Sequence, residues 1–294
     1  MTEPESFDLV VPGGELRVGA WPGRAGTPTV IAAHGITANL VSFGEVANAL
    51  AGDATLIAPD LRGRGRSNNI TGPFGITAHA DDLIRLLDHA GIERGTLVGH
   101  SMGGWVVAYT AARHPDRVSS VVLVDGGLAL AGTTDLPVDE VLQAVLGPSM
   151  ARLSMTFADG DAYRDFWRQH PAVGGDYWSD LVERYVDYDL VGEPPDCRSS
   201  VSIDAVRADA TEQLAVPAVR DAVEAVQCPV TLLFAPRGLL DGPPLYADAS
   251  RDAMRWSWPN VVEEAVVPDT NHFTIVLGSG APAVADAIRR AVIR

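Results

Sequence analysis

The sequence predicts a doubly wound, mainly parallel α/β sheet interrupted by an inserted helical cap. Three observations carry this. Short apolar runs of strand length alternate with segments of helical periodicity, the pattern of strand–helix–strand units. One such run, Gly95-Thr96-Leu97-Val98, leads through Gly99-His100-Ser101-Met102-Gly103 into a helix-like stretch from Gly104 to Ala112. From Leu128 to about Val226 the strand pattern lapses, over a span too long for a structureless loop. The chain therefore divides into a core of residues 1–127 and 227–294 and a helical cap, or lid, of residues 128–226.

Taken in order, Phe7–Val11 and Leu16–Trp21 read as two strands joined by a turn at Pro12-Gly13-Gly14. Thr29–Ala33 is a buried strand ending at His34-Gly35-Ile36-Thr37. Thr55–Ala58 is the next, followed by Asp60-Leu61-Arg62-Gly63-Arg64-Gly65-Arg66-Ser67. Thr77–Ala90 has helical spacing, with Leu83, Leu86 and Leu87 on one face. The helix after Ser101 stops near His114-Pro115, because a residue before proline is driven out of the helical region. Val118–Val124 is a strand ending at Asp125-Gly126-Gly127. Val230–Phe234 and Val261–Val267 are the last strands, and Asn271-His272 precedes a closing helix from Ala281 to Ile293. The cap holds helical stretches, Pro194-Pro195 and the aromatics Phe157, Tyr163, Phe166, Trp167, Tyr177, Trp178, Tyr185 and Tyr188. Such residues suit a small core of their own and the roof of an apolar pocket.

With 294 residues, 47% of them hydrophobic, the chain has enough apolar surface for one large domain with an insertion. A formal net charge of -16 opposes binding to nucleic acid or to an anionic membrane. There is no lysine, which excludes Schiff-base lysines and lysine-dependent phosphate loops. The Arg62–Arg66 run is too short for an RNA-binding tract in so acidic a chain, and reads as a loop near the site mouth pinned by arginine hydrogen bonds. Cys197 and Cys228 imply no disulfide and lack metal-site spacing. Met1–Ser6 is acidic and polar without a signal-peptide pattern, and no apolar run is long enough to span a membrane. A cytoplasmic monomer or homodimer is expected, with a small-molecule substrate as its only partner.

Gly-x-Ser-x-Gly between a strand and a helix is a nucleophile elbow. Its glycines flank the turn because a side chain there would collide as strand and helix close. Its serine is held in a strained conformation with the hydroxyl above the sheet. With His34-Gly35, the Asp60–Ser67 run, Gly99–Gly103 and Asn271-His272 falling in that order at strand ends, the chain resembles the α/β-hydrolase superfamily over nearly its whole length. The likeness is to a capped, serine esterase-type member.

That resemblance implies roles. Ser101 is the expected nucleophile and His272 the general base. The backbone N–H groups of Ile36 and Met102 would form the oxyanion hole. His34, Gly35 and Trp167 are expected at the substrate, His34 also holding its loop by hydrogen bonds. His100 is expected to pack in the turn. No cofactor and no metal are implied. The acid departs from the common pattern: the family's Gly-x-x-Asp turn places Gly238 in its slot, with Asp241 three residues on. The other position known in the superfamily, the end of the preceding core strand, holds Asp125, which is favoured over Asp241. The expected reaction is cleavage of a carboxylic ester, thioester or lactone with an apolar or aromatic acyl group, through an acyl-enzyme. A lyase or cofactor-free oxygenase on this fold, and a ligand sensor with a vestigial triad, stay open as alternatives. Dehalogenases and epoxide hydrolases of the fold use aspartate where Ser101 stands.

Overall fold

In the strand Thr29–Ala33, Ile31 and Ala33 enter one apolar core while Val30 and Ala32 enter another. Successive side chains of a strand point to opposite faces, so a strand apolar throughout needs a layer on each side. The computed structural model, which describes residues 3–129, 137–248, 251 and 258–293, supplies both layers. The strands in chain order are β1 (Glu5–Val11), β2 (Gly14–Trp21), β3 (Thr29–Ala33), β4 (Thr55–Pro59), β5 (Gly95–His100), β6 (Val118–Val124), β7 (Leu190–Val191), β8 (Arg198–Ser199), β9 (Val230–Phe234) and β10 (Val261–Val266). Eight form one sheet in the order β1-β2-β4-β3-β5-β6-β9-β10. The β1–β2 hairpin joins antiparallel, and every pairing from β4 to β10 is parallel. The C-terminal ends of β3, β5, β6 and β10 therefore lie along one edge, where open α/β sheets place their sites.

Helix α1 (Gly44–Leu50) packs on the closing helix on one face of the sheet. On the other face α2 (Ile76–His89) packs on α3 (Met102–Arg113), which lies over β5 and β6. Leu83, Leu86 and Leu87 are all buried, the face their spacing predicts. Observed ends differ from the expected ones by a residue or two.

The stretch between β6 and β9 carries α4 (Val138–Leu153), α5 (Gly160–Arg168), α6 (Asp180–Asp189), α7 (Ile203–Ala215) and the short α8 (Pro217–Arg220), with β7 and β8 paired as a two-stranded ladder. Part of the expected cap, residues 130–136, lies outside the described residues. Phe157, Tyr163, Trp167 and Tyr185 are buried in the same core as the closing helices α9 (Thr274–Leu277) and α10 (Ala281–Val292). Asn39 donates to the Tyr185 carbonyl at 3.1 Å, and the Tyr188 hydroxyl donates to Asp60 at 2.7 Å. These bonds tie α6 to the sheet edge. Residues 217–225 instead pack on α3. The last stretch of the expected cap therefore belongs to the helical layer of the core, on the way from the insert to β9.

Candidate active site

β5 ends at His100 and α3 begins at Met102, so Ser101 alone turns the chain. Its φ of 55° and ψ of -126° lie where L side chains are strained. A Cβ on Gly99 would stand 2.2 Å from the Gly103 carbonyl oxygen, and one on Gly103 would stand 2.0 Å from that of Ala33. Only glycine fits either position. The Met102 N–H opens α3, where an amide has no partner within its helix. The Ile36 N–H lies on the loop after β3. Neither donates to an acceptor among the described residues. The positive end of α3 adds to their preference for negative charge.

That loop is held from below. The His34 ring is fully buried; its Nε2 accepts from the Leu61 N–H at 2.9 Å, leaving Nδ1 to donate to the Gly35 carbonyl at 2.8 Å. Arg64, also fully buried, donates from Nε to the Ile36 carbonyl at 2.9 Å and pairs with Asp209 of α7 at 2.5 Å. Burial alone would raise the Asp209 carboxyl, but the Arg64 charge and His79 outweigh it and hold it below the usual range. Arg62 forks onto Asp82 of α2 at 2.5 and 2.8 Å and donates to the Pro12 carbonyl at 2.7 Å. Arg62 and Arg64 are thus structural pins, as the short, glycine-spaced pattern suggests, whereas Arg66 is exposed over the Tyr188 ring.

His272 follows β10 by a few residues, and its Nδ1 lies 2.7 Å from Asp125 Oδ2. Asp125 ends β6, with its other oxygen accepting from the Ala235 N–H at 3.1 Å. Its own N–H donates to the Leu233 carbonyl at 2.7 Å. The acid is stitched to the intervening strand β9 and reaches His272 across it. His100 Nε2 donates to the His272 carbonyl at 2.8 Å, and the two rings sit 4.7 Å apart. Burial drives the His100 ring well below the ordinary histidine range, so it stacks there as a neutral group.

Asp241 meets a different set: Asn271 Nδ2 at 3.0 Å, the Tyr177 hydroxyl at 3.3 Å and Arg237 at 3.3 Å. Asn271 in turn caps α9, its Oδ1 accepting from the Phe273 and Thr274 N–H groups. Asp241 therefore braces the loop that carries His272 rather than touching its ring.

Two expectations about substrate contact need correction. Both His34 ring nitrogens are consumed by backbone groups below the loop, so it presents nothing to a ligand. Trp167 is buried under the Arg152 guanidinium at 4.8 Å and edge-on to Tyr185 and Phe273. A large aromatic buries more area among other rings than at a pocket wall. Gly35 does face the site, its α-carbon side turned to Ser101.

Two cavities meet at Ser101. The larger is walled by Met102, Trp105, Leu142, Leu146, Leu214 and Tyr246. The smaller is bounded by Gly35, His100, His272 and Phe273 and by the hydroxyl-bearing Thr37, Ser42, Ser149 and Tyr185. Ile36, Ser101, Leu146 and Leu239 border both. Among the described residues no cluster of three or more His, Cys, Asp or Glu side chains is placed to hold a metal ion, and no helix is long and apolar enough to cross a membrane.

Several supporting residues escape sequence reasoning. Asp209 meets Arg64 from far along the chain. Arg152 of α4 joins Tyr163, Asp189 and Ser199 in a buried cluster and reaches toward the Thr37 carbonyl. The one local signal was an arginine amid the apolar residues of a helix.

The buried His34 makes stability depend on pH. Burial lowers its pKa from 6.5 to about 3, while the unfolded chain takes up a proton near 6.5. Its contribution is thus complete above pH 6.5 and is lost as pH falls. The stability advantage of the wild type over His34→Gln is expected to shrink by roughly 2 kcal/mol between pH 7.5 and pH 5. Asp60, raised by burial to about 6, acts in the opposite sense in both proteins and cancels in the difference. Denaturant melts of the pair at the two pH values check this; a constant gap refutes it.

Residues 28–185 match the family model for the alpha/beta hydrolase fold. The lipase LipV of Mycobacterium tuberculosis is 38% identical over 124 residues, which are 42% of this chain and 46% of that protein. A fluoroacetate dehalogenase from a Burkholderia species is 34% identical over 117 residues, 38% of each chain. This chain thus covers less than half the length of these curated relatives. The crystal structure of E-2-(acetamidomethylene)succinate hydrolase is similar over 99% of this chain and 100% of its own, with a TM-score of 0.77. At 23% identity that likeness speaks for the fold alone.

Proposed function

Since this chain belongs to the alpha/beta hydrolase fold family, we propose that it is a serine hydrolase cleaving a carboxylic ester with an apolar acyl group through an acyl-enzyme. The observation that carries this is the convergence on one spot of a strained serine, two unpaired backbone amides and a histidine fastened to a buried aspartate. His272 Nε2 takes the Ser101 hydroxyl proton as Oγ attacks the ester carbonyl. The carbonyl π electrons move onto oxygen, where the Ile36 and Met102 N–H groups stabilise the charge. Each such donor contributes about 3 kcal/mol in comparable sites. The carbonyl re-forms, the C–O bond to the alcohol breaks, and His272 returns the proton to the departing oxygen. Water then gives a proton to His272 and attacks the acyl-enzyme. Collapse expels Ser101, reprotonated by His272, and frees the acid. Asp125 keeps the Nδ1 proton in place and stabilises the imidazolium in both halves.

The apolar cavity beside Met102 and Trp105 favours a hydrocarbon acyl group. The test is a fluorophosphonate label located by mass spectrometry, with p-nitrophenyl esters of straight-chain and aromatic acids assayed alongside. Label on Ser101 together with ester turnover is expected. An unlabelled Ser101 with no turnover would overturn the proposal in favour of a non-hydrolytic enzyme or a sensor.

A further inference from the structure

The cavities that meet at Ser101 differ in one respect that bears on chemistry: His272 lines the smaller one and not the larger. In the mechanism above, the oxygen of the departing alcohol must receive its proton from His272. That oxygen, and whatever is attached to it, lies on the His272 side of the reacting carbon. The acyl chain is then left for the other side, between Met102, Trp105 and Leu142.

The smaller cavity is not merely the smaller one. Besides Ser101, four side chains along it carry hydroxyls: Thr37 and Ser42 from the stretch between β3 and α1, Ser149 from α4 and Tyr185 from α6. Ser42 is 1% exposed, and its Oγ has no hydrogen-bond partner among the described residues. A buried hydroxyl without a partner is costly, and a complementary ligand group recovers that cost. Tyr185 is 2% exposed, its ring set edge-on to Trp167. Burial raises its hydroxyl above the ordinary tyrosine range, so it stays a neutral group that both donates and accepts. Among the described residues no arginine borders this cavity, so it offers a carboxylate or phosphate no guanidinium partner.

We propose that this cavity is the leaving-group subsite and that it selects a short alcohol carrying further hydroxyls, so that the substrate is an ester of an apolar acid with a small polyol. Ser42, Ser149 and Tyr185 would be its specificity residues. The assignment rests on the serine-hydrolase reading and adds the direction in which the substrate lies. Hydrolysis keeps the balance given above: the C–O bond to the polyol breaks, its oxygen takes the proton from His272, and water supplies the hydroxyl of the acid.

The experiment compares 1-glyceryl hexanoate with propyl hexanoate, which share an acyl-enzyme and differ only in leaving-group hydroxyls. The kcat/KM ratio is expected to favour the glyceryl ester by about tenfold, the effect of one or two hydrogen bonds. In Ser42→Ala and Tyr185→Phe the ratio should fall toward one. Because it is formed within each variant, a partial loss of folded enzyme cancels from it. Equal rates on the two esters, with Ser101 labelled and turnover observed, would overturn the subsite and leave the esterase standing. So would variants that change acyl-length preference but not this ratio, since the cavities would then be assigned in reverse. No label and no turnover of either ester would overturn both readings together.

Discussion

Replacing Ser101 with alanine is expected to abolish ester hydrolysis, lowering kcat by about 10⁶-fold, the scale seen when a serine hydrolase loses its nucleophile. Alanine keeps the volume and inherits the same strained φ, so the elbow closes as before. The loss therefore falls on chemistry, and thermal unfolding should barely move. Ser101→Gly separates the two effects. It should be just as inactive, yet more stable by about 1 kcal/mol, because glycine adopts a positive φ without the steric cost. Turnover of a p-nitrophenyl ester and a melting curve for each variant are the measurements. Activity above a tenth of the wild type in Ser101→Ala would sink the serine mechanism.

The second large effect concerns the acid. Asp125→Asn is expected to lower kcat by about 10⁴-fold, because an amide beside His272 Nδ1 no longer fixes the ring's proton or stabilises its cation. Asp241→Asn should leave kcat within a few-fold of the wild type and act on stability instead. Its carboxylate braces Asn271 and pairs with Arg237, both away from the imidazole. Steady-state kinetics on both variants decide between them. A large fall confined to Asp241→Asn would assign the acid to the wrong strand.

The sheet was legible because its strands are short and buried on both faces, so that Val118–Val124 or Val230–Phe234 stand out as unbroken apolar runs. The elbow was legible for a steric reason, since two backbone approaches near 2 Å admit only glycine at Gly99 and Gly103. The positions of Ile36, Met102 and His272 follow from their places just beyond strand ends. What stayed hidden depends on contacts between distant segments. Whether Asp125 or Asp241 faces His272 turns on how two loops lean, and both acids sit in turns at positive φ. His34 and Trp167 look like site residues by position, but the direction of a side chain is set by packing that no local pattern records. The C-terminal limit of the expected cap was blurred for the same reason: residues 217–225 look like more helix and pack on α3.

The ion pair between Arg64 and Asp209 has a bearing on how such proteins are recombined. Inserts of this kind invite transplantation, one lid exchanged for another to redirect an enzyme. Here α7, in the stretch between β6 and β9, holds the counter-charge of an arginine that is itself fully enclosed and hydrogen-bonded to the Ile36 carbonyl. A foreign lid without an acid at that place would strand the guanidinium in a low-dielectric interior, a loss of about 3–5 kcal/mol. The loop carrying Ile36 would then shift to let the charge reach water. In this chain the graft junction has to include the residues around Arg64 as well as the lid, so the transferable unit is larger than the insertion that the sequence marks out.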